Sequence, residues 1–522
     1  MATFTTRAQP SGLPCPHSSA SFWHTEPSPF LLAHRTTDHL PSEVDIVIIG
    51  TGITGASIAH YLTAQSTDLS IVLLDAREVC SGATGRNGGH CQPLLFDRTP
   101  DVAAFEVRNV EAVKSYIGTN NVECEWRTVT GCRSFWDNGL FEACQADIAK
   151  LRDVDPVLGK RVTVIPGSDE NSLREHGVSV NAVGVTLTEG AGQLWPYKLV
   201  TFMIEKMVRE GKVNLQTNTP VLKIGDKDPS SSRRKLRTPR GIISARYTIL
   251  ATNGYTSHLL PDTFTDLIVP VRHEMSALHP PQGTSRLPHS YGMVGYAAGN
   301  PDHDDYLIQR PFTHGPDGTL HGGQLMFGGG RGKATYGSLG TSNDDIIDPG
   351  SAHYLCTELP NMLNLSNNPH TPSQPLIASH IWTGITGYSK DNAPWVGRVP
   401  ADPVGTTWHT DLWLCGGYTG HGMPNATLCG KALATMISAE IAGENHEDVS
   451  SRLVRAGDLP RQYLITAQRL SDASRLPSVA AQEAESERMH REKRRLKAFP
   501  SVENGMPLQN QQQQDRSRCE VM

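Results

Sequence analysis

The chain has 522 residues, 38% hydrophobic and 19% charged, with a formal net charge of −6. This is enough for two to four domains, or two interleaved ones, around a large core, and the mildly acidic balance excludes the basic field of a nucleic-acid binder. Its ten scattered cysteines contain no CxxC pair and no run of about eighteen apolar residues occurs, which argues against a zinc site, a disulfide framework and a membrane-spanning helix, and for a reducing, cytoplasmic setting.

Residues 1–43 carry Pro10, Pro14, Pro16, Pro27 and Pro29 among many Ser, Thr and His, without the apolar core of a secretory signal. They are predicted to form a flexible arm, with Phe30-Leu31-Leu32 the cluster able to dock on the body. Order is predicted to begin at Val44. Val44 to Ile49 is a short, mostly β-branched apolar run suited to a buried parallel strand. Glycines follow at once, then a helix through Ala56 to Leu62, then a second buried strand from Ser70 that ends on Asp75. This is one βαβ unit.

Helical segments are predicted at Val102 to Tyr116, Glu142 to Asp153 and Trp195 to Arg209, the last with Leu199, Phe202, Met203 and Met207 on one face. Val213 to Thr217 and Ala245 to Leu250 read as strands rejoining the first sheet, with Gly225 to Arg240 an exposed hairpin tip between them. Ile268 to Ser379 is rich in strands and turns. Leu412 to Cys415 is a strand, and Ala426 to Ala442 the helix after it. Beyond His446 the composition turns polar and ends in a low-complexity stretch, Gln509 to Gln514.

Three glycine-rich loops carry the chemistry. In Gly50-Thr51-Gly52-Ile53-Thr54-Gly55, Gly50 permits the turn, Gly52 lets backbone approach a pyrophosphate, and Gly55 lets helix and strand pack closely. The helix start offers N–H groups to phosphate. Asp75, followed by Ala76 and Arg77, lies about twenty residues past Gly55, where a carboxylate meets ribose hydroxyls. That acid disfavours a 2′-phosphate but suits NAD and FAD alike. The second loop contains Ser81, Thr84, Arg86, Asn87, Gly88, Gly89 and His90, and Arg86 is placed to reach a pyrophosphate or a flavin edge. The third, Gly416-Gly417-Tyr418-Thr419-Gly420-His421-Gly422-Met423, again lies between strand and helix and suits the electron-rich end of a flavin. Two further loops wrapping an extended ligand favour FAD.

These loops, with Ala251-Thr252-Asn253-Gly254-Tyr255, Trp382-Thr383-Gly384 and Asp391 to Gly397, resemble the D-amino-acid oxidase (DAO) superfamily of FAD-dependent oxidoreductases over about Val44 to Gly443. The branch they most resemble holds glycine oxidase, sarcosine oxidase and γ-glutamylputrescine oxidoreductase. The resemblance implies an α/β fold: a Rossmann-like FAD domain interleaved with an α+β substrate domain on an antiparallel sheet. The division expected is 44–100, 185–260 and 376–445 for FAD, 101–184 and 261–375 for substrate, and 446–522 a polar, largely disordered tail. It also implies oxidation of a C–N bond of an amine, amino acid or N-methyl compound, with oxygen or another acceptor reoxidising the flavin. Sarcosine oxidases attach FAD to a cysteine just before the position of Asp391; here no cysteine lies between Cys356 and Cys415, so noncovalent FAD is expected, a link through His90 being the alternative.

Arg310, Arg331, Tyr388 and Lys390 are the candidate substrate-side residues, with Arg272 a further one and Trp382 a wall for an apolar pocket; an arginine fork suits a substrate carboxylate, and His273 reads as structural. Two other functions are compatible with the loops: an FAD enzyme of a biosynthetic pathway acting on a larger molecule, and a flavin-binding protein without turnover. The end Cys519-Glu520-Val521-Met522 matches a prenylation motif only loosely, because Glu520 is charged, and reads more readily as a chance ending. Were it prenylated, the basic run Arg491 to Lys497 would supply the second signal for a membrane surface.

Overall fold

The structure, a computed structural model, describes residues 9–65, 68–96, 98–296, 305–314, 320–365, 374–403 and 405–498. The strand Glu43–Ile49 is buried on both faces from Ile46 onward, as a β-branched run must be at the centre of a parallel sheet. It pairs in parallel with Ile71–Leu74 on one side and Gly241–Leu250 on the other. Asn214–Gln216 extends the first side and Trp408–Gly416 the second, both in parallel, and Trp395–Pro400 closes the edge antiparallel. The helix Ile53–Gln65 supplies the first crossover. Its small first turn packs on Ala426–Ile441, where a Cβ on Gly430 would stand 3.0 Å from the Ser57 Cβ, so small residues set how closely the two helices approach.

A second sheet of nine strands runs, edge to edge, Ala378–Ser389, Ile268–Leu278, Leu325–Gly328, Asp305–Gln309, His289–Val294, Arg127–Phe135, Gly184–Gln193 and His90–Cys91, with Val162–Pro166 also on Gly184–Gln193. Every pair is antiparallel except His289–Val294 with Arg127–Phe135. Three segments expected in the FAD domain, 90–91, 185–193 and 378–389, are thus strands of this second sheet. Their pairing partners lie far away in the chain, and strand composition alone does not say which sheet a strand joins.

The hairpin expected as an exposed tip, Lys223–Asp228 with Arg233–Thr238, pairs along Gly241–Leu250. It carries a buried ion pair, with Arg234 Nε 2.9 Å from Asp411 Oδ2.

Both termini depart from expectation. The arm is irregular from residue 9 but seated on the body. Phe22, Trp23 and Leu31 are buried in the main core, Ser11 N donates to Ser257 Oγ at 2.9 Å, and Trp195 Nε1 donates to the Trp23 carbonyl at 2.8 Å. The expected disordered tail is helical at His446–Ala456, Ala467–Arg475 and Val479–Ala498. Asn445 caps the first of these, accepting from the amides of Glu447 and Asp448, and Val449, Leu453, Tyr463, Ile465 and Leu470 are buried. Apolar residues this sparse are diluted in an average over the segment, yet they fall on the inner faces of short helices and, at Ile465, of the link between two of them. The basic run at Arg491 continues the last helix; the glutamine run and Cys519 lie outside the described residues. Among the described residues no helix is long and apolar enough to cross a membrane, and none of their His, Cys, Asp and Glu side chains group in threes that could hold a metal.

Candidate FAD and substrate site

The first loop leaves the Glu43–Ile49 strand with Gly50 at φ +106°, a conformation that favours glycine; a Cβ there would stand 2.6 Å from the Ala251 carbonyl oxygen. Asp75 braces the loop from the end of the next strand. Its carboxylate accepts from Thr51 N at 2.9 Å, the Thr51 hydroxyl at 2.5 Å and Arg77 N at 3.0 Å. Burial pushes this carboxyl above its ordinary value against those three bonds. A carboxylate has about four lone-pair positions, so acceptor capacity remains for a ribose hydroxyl.

The second loop crosses over the first, Thr84 Oγ1 accepting from Ile53 N at 3.1 Å. Arg86 lines the cavity, but its donors are turned into the protein: Nε gives to the Ser81 carbonyl at 2.8 Å, and Nη1 to the Ser19 carbonyl at 2.9 Å and the Thr383 carbonyl at 2.8 Å. Arg77 likewise binds both Asp344 oxygens, at 3.0 and 2.9 Å. Arg86 is therefore a clamp joining the arm, the second loop and the Ala378–Ser389 strand, and its expected reach to pyrophosphate or flavin gives way to that role. Deep burial lowers its pKa to about 10.

The third loop follows the Trp408–Gly416 strand. Tyr418 Oη lies 3.0 Å from Thr54 Oγ1, tying this loop to the first helix, and Gly417 N donates to Asn253 Oδ1 at 3.0 Å. Sequence reasoning missed the support beneath it. From the helix Pro100–Asn120, buried Glu106 meets His421 Nε2 at 3.1 Å and accepts from Asn425 Nδ2 at 3.0 Å, while Asn109 Nδ2 donates to the Met423 carbonyl at 3.0 Å. Burial alone would raise the Glu106 carboxyl; His421, Arg98 and Asn425 together outweigh it and hold Glu106 below its ordinary value. The i, i+3 spacing of Glu106 and Asn109 on an otherwise apolar helix face was the available signal.

These loops open into one cavity of about 1120 Å³, beyond the roughly 300–1,000 Å³ typical of ligand pockets. Residues 50–54, 75–77, Thr84, 86–88, His90 and 418–423 line it; Gly55, Ser81, Gly89, Gly416 and Gly417 are not among its lining residues. The cavity continues onto the second sheet. There Tyr306 stacks with His90 at 6.1 Å between ring centres and accepts from Gly88 N at 3.1 Å. Burial brings the His90 imidazole down to about 4, so it is neutral near pH 7.

Of the candidate substrate-side residues, the fold brings Arg331 and Tyr388 to this cavity, and with them His273, which the sequence reads as structural. The Arg331 guanidinium lies 5.2 Å from the Tyr388 ring centre, and the Tyr388 and His273 ring centres are 5.6 Å apart. Arg310 is not a lining residue. It binds Glu125 at 2.6 and 3.1 Å and stacks between Phe22 and Trp195. Lys390 pairs with Asp266, and Arg272 lies 3.4 Å from Glu274 and 3.7 Å from Asp348. Trp382 is fully buried and donates to the Arg86 carbonyl at 2.8 Å. These four are occupied in holding elements together.

The residues present fit FAD: a glycine trough at a helix start, an acid with spare acceptor capacity, and a third loop held rigid from below. No cysteine lies between Cys356 and Cys415, and burial pushes the thiols of Cys80 and Cys91, beside the second loop, far above the ordinary range, which suits noncovalent binding. Acid precipitation of the yellow protein is expected to leave FAD in the supernatant; colour retained in the pellet would indicate a covalent bond.

A family model described as "FAD dependent oxidoreductase" (DAO) matches residues 45–436. The "Probable oxidoreductase OrdL" of Rhizobium meliloti (strain 1021) is 26% identical over 408 residues, covering 76% of this chain and 83% of that protein. Gamma-glutamylputrescine oxidoreductase of Escherichia coli (strain K12) is 21% identical over 419 residues, covering 76% and 84%. Among solved structures, glycine oxidase from Geobacillus kaustophilus superposes with a TM-score of 0.59 at 16% identity, covering 77% of this chain and 96% of that one.

Proposed function

Because the chain belongs to the DAO family of FAD-dependent oxidoreductases, we propose that it oxidises a C–N bond of an amine, amino acid or N-methyl compound. The observation that carries this reading is the single cavity joining the dinucleotide loops to Arg331 and Tyr388. One relative is named as an oxidoreductase of gamma-glutamylputrescine, an amine, which supports this reading.

Bound FAD would supply the hydride acceptor. Residues 50–54 and Asp75 would hold its nucleotide half, and residues 418–423 would face its redox half. Substrate would give up a hydride and a proton, leaving a C=N bond that water hydrolyses to a carbonyl compound and an amine. An amine arrives protonated near pH 7 and must lose a proton before hydride can leave the adjacent carbon. His421 is the residue we assign to that proton. Glu106 holds its Nε2, which leaves Nδ1 as the nitrogen for the cavity. Arg331 would be the cation on the substrate side, with Tyr388 and Tyr306 walling the site against water. Oxygen or another acceptor would then remove the electrons.

An anaerobic screen over amino acids, N-methyl amines and polyamines tests this. At least one is expected to bleach the flavin absorption. If none did while a chemical reductant still bleached it, amine oxidation would be ruled out.

A further inference from the structure

The family match ends at residue 436, yet the chain returns to the cavity afterwards. Residues 479, 481–483, 485, 486 and 489 of the last helix line it. Glu483 meets the Arg331 guanidinium directly. Arg331 is 8% exposed, with Nε on Ser338 Oγ at 2.8 Å and the Tyr388 ring beneath it. Gln482 Nε2 donates to the Lys390 carbonyl at 2.9 Å, fixing the helix just past the end of the strand that carries Tyr388.

A guanidinium this far out of water requires an anion. In this structure that anion is Glu483. A ligand carboxylate reaching for Arg331 must displace it, and its apparent affinity falls by the fraction of molecules in which Arg331 is still taken. A neutral or cationic ligand meets no such competitor. We propose that Glu483 is a specificity-determining residue, a carboxylate carried by the chain itself that occupies Arg331 and sets the site against small carboxylate ligands. The proposal rests on the reading of Arg331 as the cation on the substrate side.

The test is a titration of full-length, FAD-loaded protein in its oxidised state with benzoate, and with neutral benzamide of the same shape, following the flavin spectrum. Glu483→Gln and Glu483→Ala are expected to bind benzoate at least about tenfold tighter than the parent, a gain that partial unfolding does not produce, while benzamide affinity stays the same. Adding Arg331→Met to Glu483→Ala should remove the gain. Unchanged, weaker or undetectable benzoate binding in the Glu483 variants overturns the proposal. So does an equal gain for benzamide, which would make Glu483 a steric plug, or a gain that survives Arg331→Met. The titration needs no turnover, so its failure is distinct from a failure of the anaerobic amine screen.

Discussion

Arg469→Ala is expected to destabilise the protein by about 3 kcal/mol or more, read as a lower melting temperature of the FAD-loaded protein. The residue lies on the helix Ala467–Arg475, within the span that composition marks as a tail. Its guanidinium grips Asp391 at 2.7 and 3.0 Å, donates to the carbonyls of Ala393, Pro394 and Tyr463 at 2.8 Å each, and stands 3.8 Å from the Trp395 ring centre. Alanine would leave a mostly buried carboxylate and three carbonyls without their donor, which costs far more than an exposed ion pair. Lysine would keep the charge but lose the fork and the stacking, so Arg469→Lys should recover only part of the loss.

The same pair sets a pH dependence. Burial raises the Asp391 carboxyl, but Arg469, Ser389 and the Ala393 amide outweigh it and hold it below the ordinary 3.8. A depressed carboxyl stabilises the fold fully above its unfolded value and loses that contribution as pH falls through the folded one. Acid destabilisation below about pH 4 should therefore be smaller in Arg469→Ala than in the parent. Parallel acid-unfolding curves would show that the pair contributes nothing to acid sensitivity.

Gly55→Ala is expected to yield protein that purifies with little flavin and is less stable by about 3 kcal/mol, the upper part of the range for overpacking. A Cβ at Gly55 would stand 1.9 Å from the Gly50 carbonyl oxygen and 3.6 Å from the Ala251 Cβ. The nearer obstacle is backbone of the phosphate loop itself, so relief requires the helix Ile53–Gln65 to move away from the strand or the loop to flatten. Either would disperse the N–H groups that a pyrophosphate needs. Gly118→Ala is the control: it lies in the helix Pro100–Asn120 with nothing within 4 Å of its Cβ, and should be neutral or slightly stabilising. A Gly55→Ala protein as yellow and as stable as the parent would sink the assignment of this loop.

The sequence by itself determined the βαβ unit from Val44 to Asp75, its three glycines, the acid at the end of its second strand and the third loop between strand and helix. Each is a local requirement: a turn, a close approach or a helix start must be met by residues within about thirty positions of one another. Only the tertiary structure decided which charged side chains reach the cavity. Arg310 and Arg331 are two arginines of the same strand-rich region, yet Glu125, 185 positions away, takes the first, while the second faces the cavity. Arg86 turns from ligand to clamp because Ser19 and Thr383, 67 and 297 positions away, converge on it. Glu106 comes to lie beneath His421, and Glu483 upon Arg331, for the same reason. Sheet order and helix docking choose the partner of a buried charge, and the energy of leaving it without one is what makes the choice binding.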